Sequence, residues 1–166
     1  MQIPALLTIA IVLTGCNHTY YIVRHAEKAV PSAGVVMNTP DDPPLSDVGT
    51  KRSEVLRKEL AGKNIGYIFS TNTKRTLATA EPLSKTSGVT IQTYGPRPDS
   101  VFINQLRNLK HNTLIVGHSN TVDEIVNGLS GADKLTDLAD SEYNNLFFVR
   151  YKRFFGTKIS YERKKY

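Results

Sequence analysis

The chain has 166 residues, 40% hydrophobic and 22% charged, with no low-complexity run and no internal repeat; this gives one ordinary hydrophobic core and excludes a disordered tail protein or a solenoid. Its single cysteine, Cys16, excludes an intrachain disulfide and any cysteine-based zinc or iron–sulfur site. The net charge of +6 resembles a nucleic-acid signal until it is divided by position: residues 1–149 hold 14 basic and 14 acidic residues, and from Arg150 onward seven basic residues face one acid, Glu162. That segment alternates like a terminal strand. Its lysines either discourage edge-to-edge pairing or attract an anionic lipid or substrate, and no nucleic-acid partner is expected.

Residues 1–16, MQIPALLTIAIVLTGC, are uncharged and shorter than the ~20 apolar residues a membrane-spanning helix needs, so they read as a targeting segment. The end of this segment, Leu13-Thr14-Gly15-Cys16, resembles the lipobox of bacterial lipoproteins, whose cysteine is lipidated and becomes the new N-terminus. The resemblance implies a signal segment over 1–16, a domain over 17–166, a membrane anchor on Cys16 and a place in the bacterial cell envelope, periplasmic or on the outer face. The alternative for Cys16 is a small buried residue on a core strand.

Thr19 to Arg24 predicts a strand buried on both faces. Ala29 to Pro44 contains four prolines and Gly34 and predicts a long surface loop, of the kind that often carries function. Ser46 caps a helix to about Ala61, with Val48, Val55, Leu56 and Leu60 at helical spacing, and a strand follows at Ile65 to Ser70. The alternation continues with a helix from Thr73 to Ser87, a strand at Val89 to Tyr94, a helix from Asp99 to Lys110, a strand at Thr113 to Gly117 and a helix from Asn120 to Leu129. Asn145 to Lys152 and Thr157 to Arg163 read as an antiparallel hairpin. This order predicts an α/β three-layer sandwich: a mostly parallel central sheet, helices on both faces, and an antiparallel C-terminal hairpin. In such sheets the site lies at the carboxyl ends of the strands.

That rule selects Arg24-His25, Arg75 and His118. Each alone has a dull explanation as a hydrogen-bonded or solvated residue, but together their segments resemble the histidine phosphatase, or phosphoglycerate mutase-like, superfamily. YYIVRHAEK is similar to its RHG motif with Ala26 in place of glycine, PPLSDVGTKRSEVL to the helix that follows, IFSTNTKRTLATAEPL to the segment of its second arginine, and TLIVGHSNTVDEIV to that of its second histidine. The likeness covers Tyr20 to Leu129. It implies that His25 is the nucleophile and that Arg24, Arg75 and His118 complete a phosphate pocket. A phosphoryl group in flight spreads negative charge over its equatorial oxygens, and guanidinium forks and a donor imidazole stabilise that charge.

The resemblance implies a short phosphomonoester hydrolase that forms a phosphohistidine, with no metal and no cofactor, acting on a small phosphorylated substrate or a phosphoprotein. Asp99, 24 residues after Arg75, is a candidate proton donor, with a helix N-cap as its equal alternative; Glu27 and Asp123 are weaker donors. Lys28 is a candidate for the leaving-group side of the pocket. Asp41 and Asp42 read as a turn, and His18 and His111 as surface residues. Two other classes compete. A serine hydrolase would use Gly117-His118-Ser119 as its elbow, but Thr121 stands where the second glycine belongs. A membrane-anchored phosphate-binding or interaction module would keep the pocket without turnover, and a phosphohistidine protein phosphatase is the nearest enzymatic competitor.

Overall fold

The computed structural model describes residues 17–30, 41–153 and 156–166. Side-chain alternation along strand β1 (His18–Arg24) sets the architecture. Tyr20 and Ile22 enter one core and Tyr21 and Val23 the other, all four buried. A strand apolar on both faces must be covered on both. Helices α1 (Asp47–Glu59) and α2 (Lys74–Ser87) cover the Tyr21 side through Leu56, Ala80 and Leu83. Helices α3 (Ser100–Asn108) and α4 (Val122–Ser130) cover the Tyr20 side through Phe102, Leu106, Ile125 and Leu129.

The sheet between these layers adds β2 (Ile65–Thr71), β3 (Ile91–Tyr94), β4 (Asn112–Gly117), β5 (Asn145–Arg153) and β6 (Thr157–Lys165), in the order β3-β2-β4-β1-β5-β6. The first four strands are parallel; β5 runs antiparallel to β1 and forms the C-terminal hairpin with β6. The α/β sandwich is thus the one the element order predicts. β6 is an edge strand, mostly exposed, and several of the tail's cations are matched: Arg150 pairs with Glu162 and Lys164 with Glu59, each at 2.6 Å, and Arg163 pairs with Glu142.

Two expectations are corrected. His18 is not a surface residue but 3% exposed, because the period of β1 puts it on the same face as Tyr20, opposite Tyr151 of β5. Its Nε2 lies 3.1 Å from the Tyr20 hydroxyl, and its ring packs 5.2 Å from each tyrosine. On α1 the valines Val48 and Val55 face solvent, and the inward stripe is Gly49, Ser53 and Leu56. Small residues are required there because the helix start lies against backbone: a Cβ on Gly49 would come within 2.2 Å of the Glu27 carbonyl oxygen.

The segment 1–16, with Cys16, and most of the Pro-rich loop lie outside the described residues. The ends of that loop are fixed by an antiparallel bridge between Lys28 and Leu45, with Ala29 N–H donating to Pro44 O at 2.8 Å and Ser46 N–H to Glu27 O at 2.9 Å.

Candidate active site

Register brings the two histidines abreast. Arg24 pairs with Gly117 across β1 and β4, so the next residues, His25 and His118, leave the sheet side by side, with ring centroids 5.4 Å apart. On the other side of β4, Ser70 pairs with Val116, so β2 ends at Thr71 in the same place and α2 starts there, carrying Arg75 in its first turn. Three adjacent strands therefore supply all four residues. Gly117 is required by this crowding, since a Cβ there would meet Thr121 Oγ1 at 2.8 Å and the Tyr94 hydroxyl at 2.9 Å.

His25 is 4% exposed, and its backbone N–H is tied to Gly117 O at 2.9 Å. Its Nδ1 lies 2.7 Å from Ala26 O. A carbonyl can only accept, so Nδ1 carries the proton and Nε2 keeps its lone pair. Burial, reinforced by the charges of Arg24 and Arg75 and by His118 and only partly offset by the Ala26 hydrogen bond, holds the imidazole pKa down at about 3. His118 is held at about 4, by burial first and then by Arg75 and Arg24. Its Nε2 is engaged by Thr71 Oγ1 at 2.8 Å. Ala26 N–H donates to Thr79 Oγ1 at 2.9 Å, and that hydroxyl donates to Arg75 O at 2.7 Å, joining the loop after β1 to α2.

Arg24 is 4% exposed and its fork is divided. Nη1 donates to Ala139 O at 2.9 Å and to Asp140 O at 3.1 Å, Nη2 reaches the Tyr143 hydroxyl at 3.4 Å, and the guanidinium lies 4.1 Å from the centre of the Tyr143 ring. Arg75 Nη1 pairs with Asp42 at 3.3 Å, and Asp42 also accepts from Lys74 N–H at 3.0 Å. The Nε atoms of both arginines are buried with no hydrogen-bond partner among the described residues. Two buried, unpartnered cationic donors are costly unless an anion takes them up.

The cleft encloses about 510 Å³, and Arg24, His25, Lys28, Arg75 and His118 line it together with Thr73, Arg97 and Asp140. Lys28 is therefore at the cleft. Asp99 is not: its carboxylate accepts from Phe102 N–H at 2.7 Å as the N-cap of α3, and it lines a separate cavity with Phe69, Gln92 and Tyr94. The side chain is spent on the helix it begins, and Arg97, two residues earlier, reaches the cleft instead. Glu27 turns to Arg52, which grips it at 2.6 to 2.9 Å. Burial would raise the Glu27 pKa, but the Arg52 hydrogen bonds and charge outweigh it and hold the carboxyl low. Asp123 sits in the first turn of α4, away from the cleft lining, with its pKa raised by burial. Sequence reasoning missed Thr71, Asp42, Arg97, Asp140 and Tyr143. Thr71 and Arg97 follow strand ends and were open to the same rule; Asp140 and Tyr143 sit in an irregular stretch with no motif.

Residues 20–95 match the histidine phosphatase superfamily (branch 1). Over that stretch, which holds Arg24, His25 and Arg75, the chain is similar to this superfamily. A protein described as "Probable phosphoglycerate mutase GpmB", from Yersinia pestis (strain Pestoides F), is 27% identical over 112 residues, 68% of this chain and 51% of that one. The chain thus spans about half the length of the curated relatives it matches. Among solved structures, the protein histidine phosphatase SixA complexed with tungstate superposes with a TM-score of 0.66 at 16% identity, covering 89% of this chain and 96% of that one. A mycobacterial glucosyl-3-phosphoglycerate phosphatase in complex with VO3 gives 0.61 at 11% identity, covering 89% and 98%. At such identities the likeness to both structures is one of fold.

Proposed function

We propose that this protein is a histidine phosphatase, a metal-independent phosphohydrolase that works through a phosphohistidine on His25. The observation that carries this reading is a neutral, tautomer-fixed imidazole beside the guanidinium groups of buried Arg24 and half-buried Arg75, whose Nε atoms are buried and lack hydrogen-bond partners among the described residues. Nε2 attacks phosphorus, the bond to the leaving group breaks, and that group departs with the electron pair and takes up a proton. Water then attacks phosphorus, the P–N bond to His25 breaks, and inorganic phosphate leaves with the imidazole again neutral. Arg24, Arg75 and His118 bear the transition-state charge.

A second reading concerns the substrate. Among the described residues Asp140 is the one carboxylate residue lining the cleft, and its side chain is fully exposed, 3.6 Å from Arg24; residues 31–40 contain no Asp or Glu. A site so poor in proton donors suits leaving groups that need little protonation, such as aryl phosphates and the phosphoramidate of phosphohistidine, better than alkyl phosphates. The SixA neighbour, named as a protein histidine phosphatase, points the same way.

The test is a brief incubation with labelled p-nitrophenyl phosphate and an alkaline quench. An alkali-stable, acid-labile phosphoprotein absent from His25→Ala is the expected result, and equal labelling of that variant refutes the nucleophile. The placement we propose is the bacterial cell envelope, with a lipid anchor on Cys16; loss of lipid labelling in Cys16→Ser is the corresponding check.

A further inference from the structure

Arg24 meets the phosphate pocket with only part of its fork free. Its Nη1 has two hydrogens, and both are taken, by Ala139 O at 2.9 Å and Asp140 O at 3.1 Å. That closes the end of the guanidinium, so the pair of donors left to grip an oxyanion side by side is the Nε–Nη2 edge. Nε is buried with no hydrogen-bond partner among the described residues, and the Tyr143 ring, 4.1 Å from the guanidinium, fixes the plane in which the edge lies. Arg75 is held in the same manner, by Nη1 to Asp42 at 3.3 Å, with its Nε buried and unpartnered among the described residues. The direction of the Arg24 edge is therefore set from behind, by two backbone carbonyls.

Those carbonyls lie outside helix and strand, and a local structure must aim them. Ala139 O also accepts from Glu142 N–H at 2.9 Å, which makes residues 139–142 a β-turn. Glu142 closes the turn a second time: its Oε2 accepts from Ala139 N–H at 3.0 Å. Its Oε1 is turned to the sheet, where it accepts from Arg163 Nη2 of β6 and lies 3.4 Å from Asn145 Nδ2 at the start of β5. Arg163 Nε donates to Asn145 Oδ1 at 2.9 Å, so the two strands present these donors as one fixed pair. The Ala139 hydrogen bond, with Arg163 and Asn145 adding to it, holds the Glu142 carboxyl below its ordinary pKa, which keeps it an ionised acceptor at neutral pH. One side chain thus ties the turn behind Arg24 to the C-terminal hairpin.

We propose that Glu142 is a positioning residue for phosphoryl transfer, aiming the Nε–Nη2 edge of Arg24 through the Ala139 and Asp140 carbonyls. The inference rests on the reading of Arg24 as a bearer of transition-state charge. Without the carboxylate, Ala139 N–H loses its acceptor and the turn loosens; the edge then swings off line, where hydrogen bonds weaken steeply. Arg163, a cation of the basic tail, acquires a place in the construction of the site.

The experiment is a double-mutant cycle on kcat/KM for p-nitrophenyl phosphate. Glu142→Ala should lower it about 10- to 30-fold, less than the loss in Arg24→Ala, because a misaimed edge keeps its charge. In the Arg24→Ala background, where there is no edge to aim, the same substitution should cost less than about twofold. Glu142→Gln loses the charge opposite Arg163 but keeps an oxygen for Ala139 N–H, and should stay within about threefold of wild type. The Glu142 side chain is partly exposed and outside both cores, so the variants fold, and thermal midpoints check this. An equal fall in the two backgrounds, or Glu142→Gln as impaired as Glu142→Ala, would overturn the positioning role and leave the phosphohydrolase reading in place. Arg24→Ala as active as wild type would overturn both.

Discussion

The two site histidines make stability depend on acid. Both have a folded-state pKa below the ordinary value of 6.5, about 3 for His25 and about 4 for His118. As pH falls below 6.5 the unfolded chain binds protons that the native state refuses, so stability present above 6.5 is lost progressively toward pH 4. Between pH 7 and pH 5 each histidine costs about 2 kcal/mol, and the pair about 4 kcal/mol. That is a large part of the 5–15 kcal/mol typical of a domain. Urea midpoints at pH 7 and pH 5 measure the loss; His118→Asn should remove about half of it, and the double variant with His25→Asn nearly all. Inorganic phosphate should restore stability at pH 5, because an anion between the rings favours their protonated forms. A pH 7-to-5 loss as large in the double variant as in the wild type would refute the assignment of these protons.

Other consequences are direct. Arg24→Ala and Arg75→Ala should each lower kcat/KM by about 10² to 10³, and lysine at either place should rescue poorly, because it lacks the planar fork. Arg24→Ala should in addition raise amide exchange around residues 139–143, which Arg24 now holds through two carbonyls. Asp99→Asn should leave turnover of alkyl and aryl phosphates unchanged, whereas Asp99→Ala should lower the urea-derived stability by about 1 kcal/mol through loss of the α3 cap. Gly49→Ala should lower Tm and kcat/KM together, since its new methyl group is driven into the Glu27 backbone two residues from His25.

What the sequence disclosed follows from where the information is local. Element order, the strand ends that carry Arg24-His25 and His118, and Arg75 one turn into α2 are all set by short-range patterns, and the register simply confirms that they meet. Asp99 was ambiguous because an N-cap and an acid have the same residue type at the same kind of junction; only the path of the chain after Tyr94 separates them. The inward face of α1 was misread because the apolar residues Val48 and Val55 suggest a buried stripe, while the close approach to Glu27 selects glycine and serine. Tyr143 and Asp140 owe their place beside Arg24 to a contact more than 100 residues distant in sequence, which no local pattern encodes.

The paired ends of the Pro-rich loop make that loop exchangeable. Because Lys28 and Leu45 are bridged and Glu27 and Ser46 are hydrogen-bonded, the two ends of the loop are fixed points, and Asp42 near the second of them adds a contact to Arg75 and Lys74. Closing a longer excursion between fixed points costs little, about 0.6 kcal/mol for each doubling of its length. Segments of different length and chemistry could therefore be grafted between Ala29 and Asp41 with His25, Arg24 and His118 left in register and the Asp42 contact to Arg75 kept. The surroundings of the cleft can then diversify by insertion at one place, while the residues set by three strand ends, Arg24, His25, Arg75 and His118, stay the same.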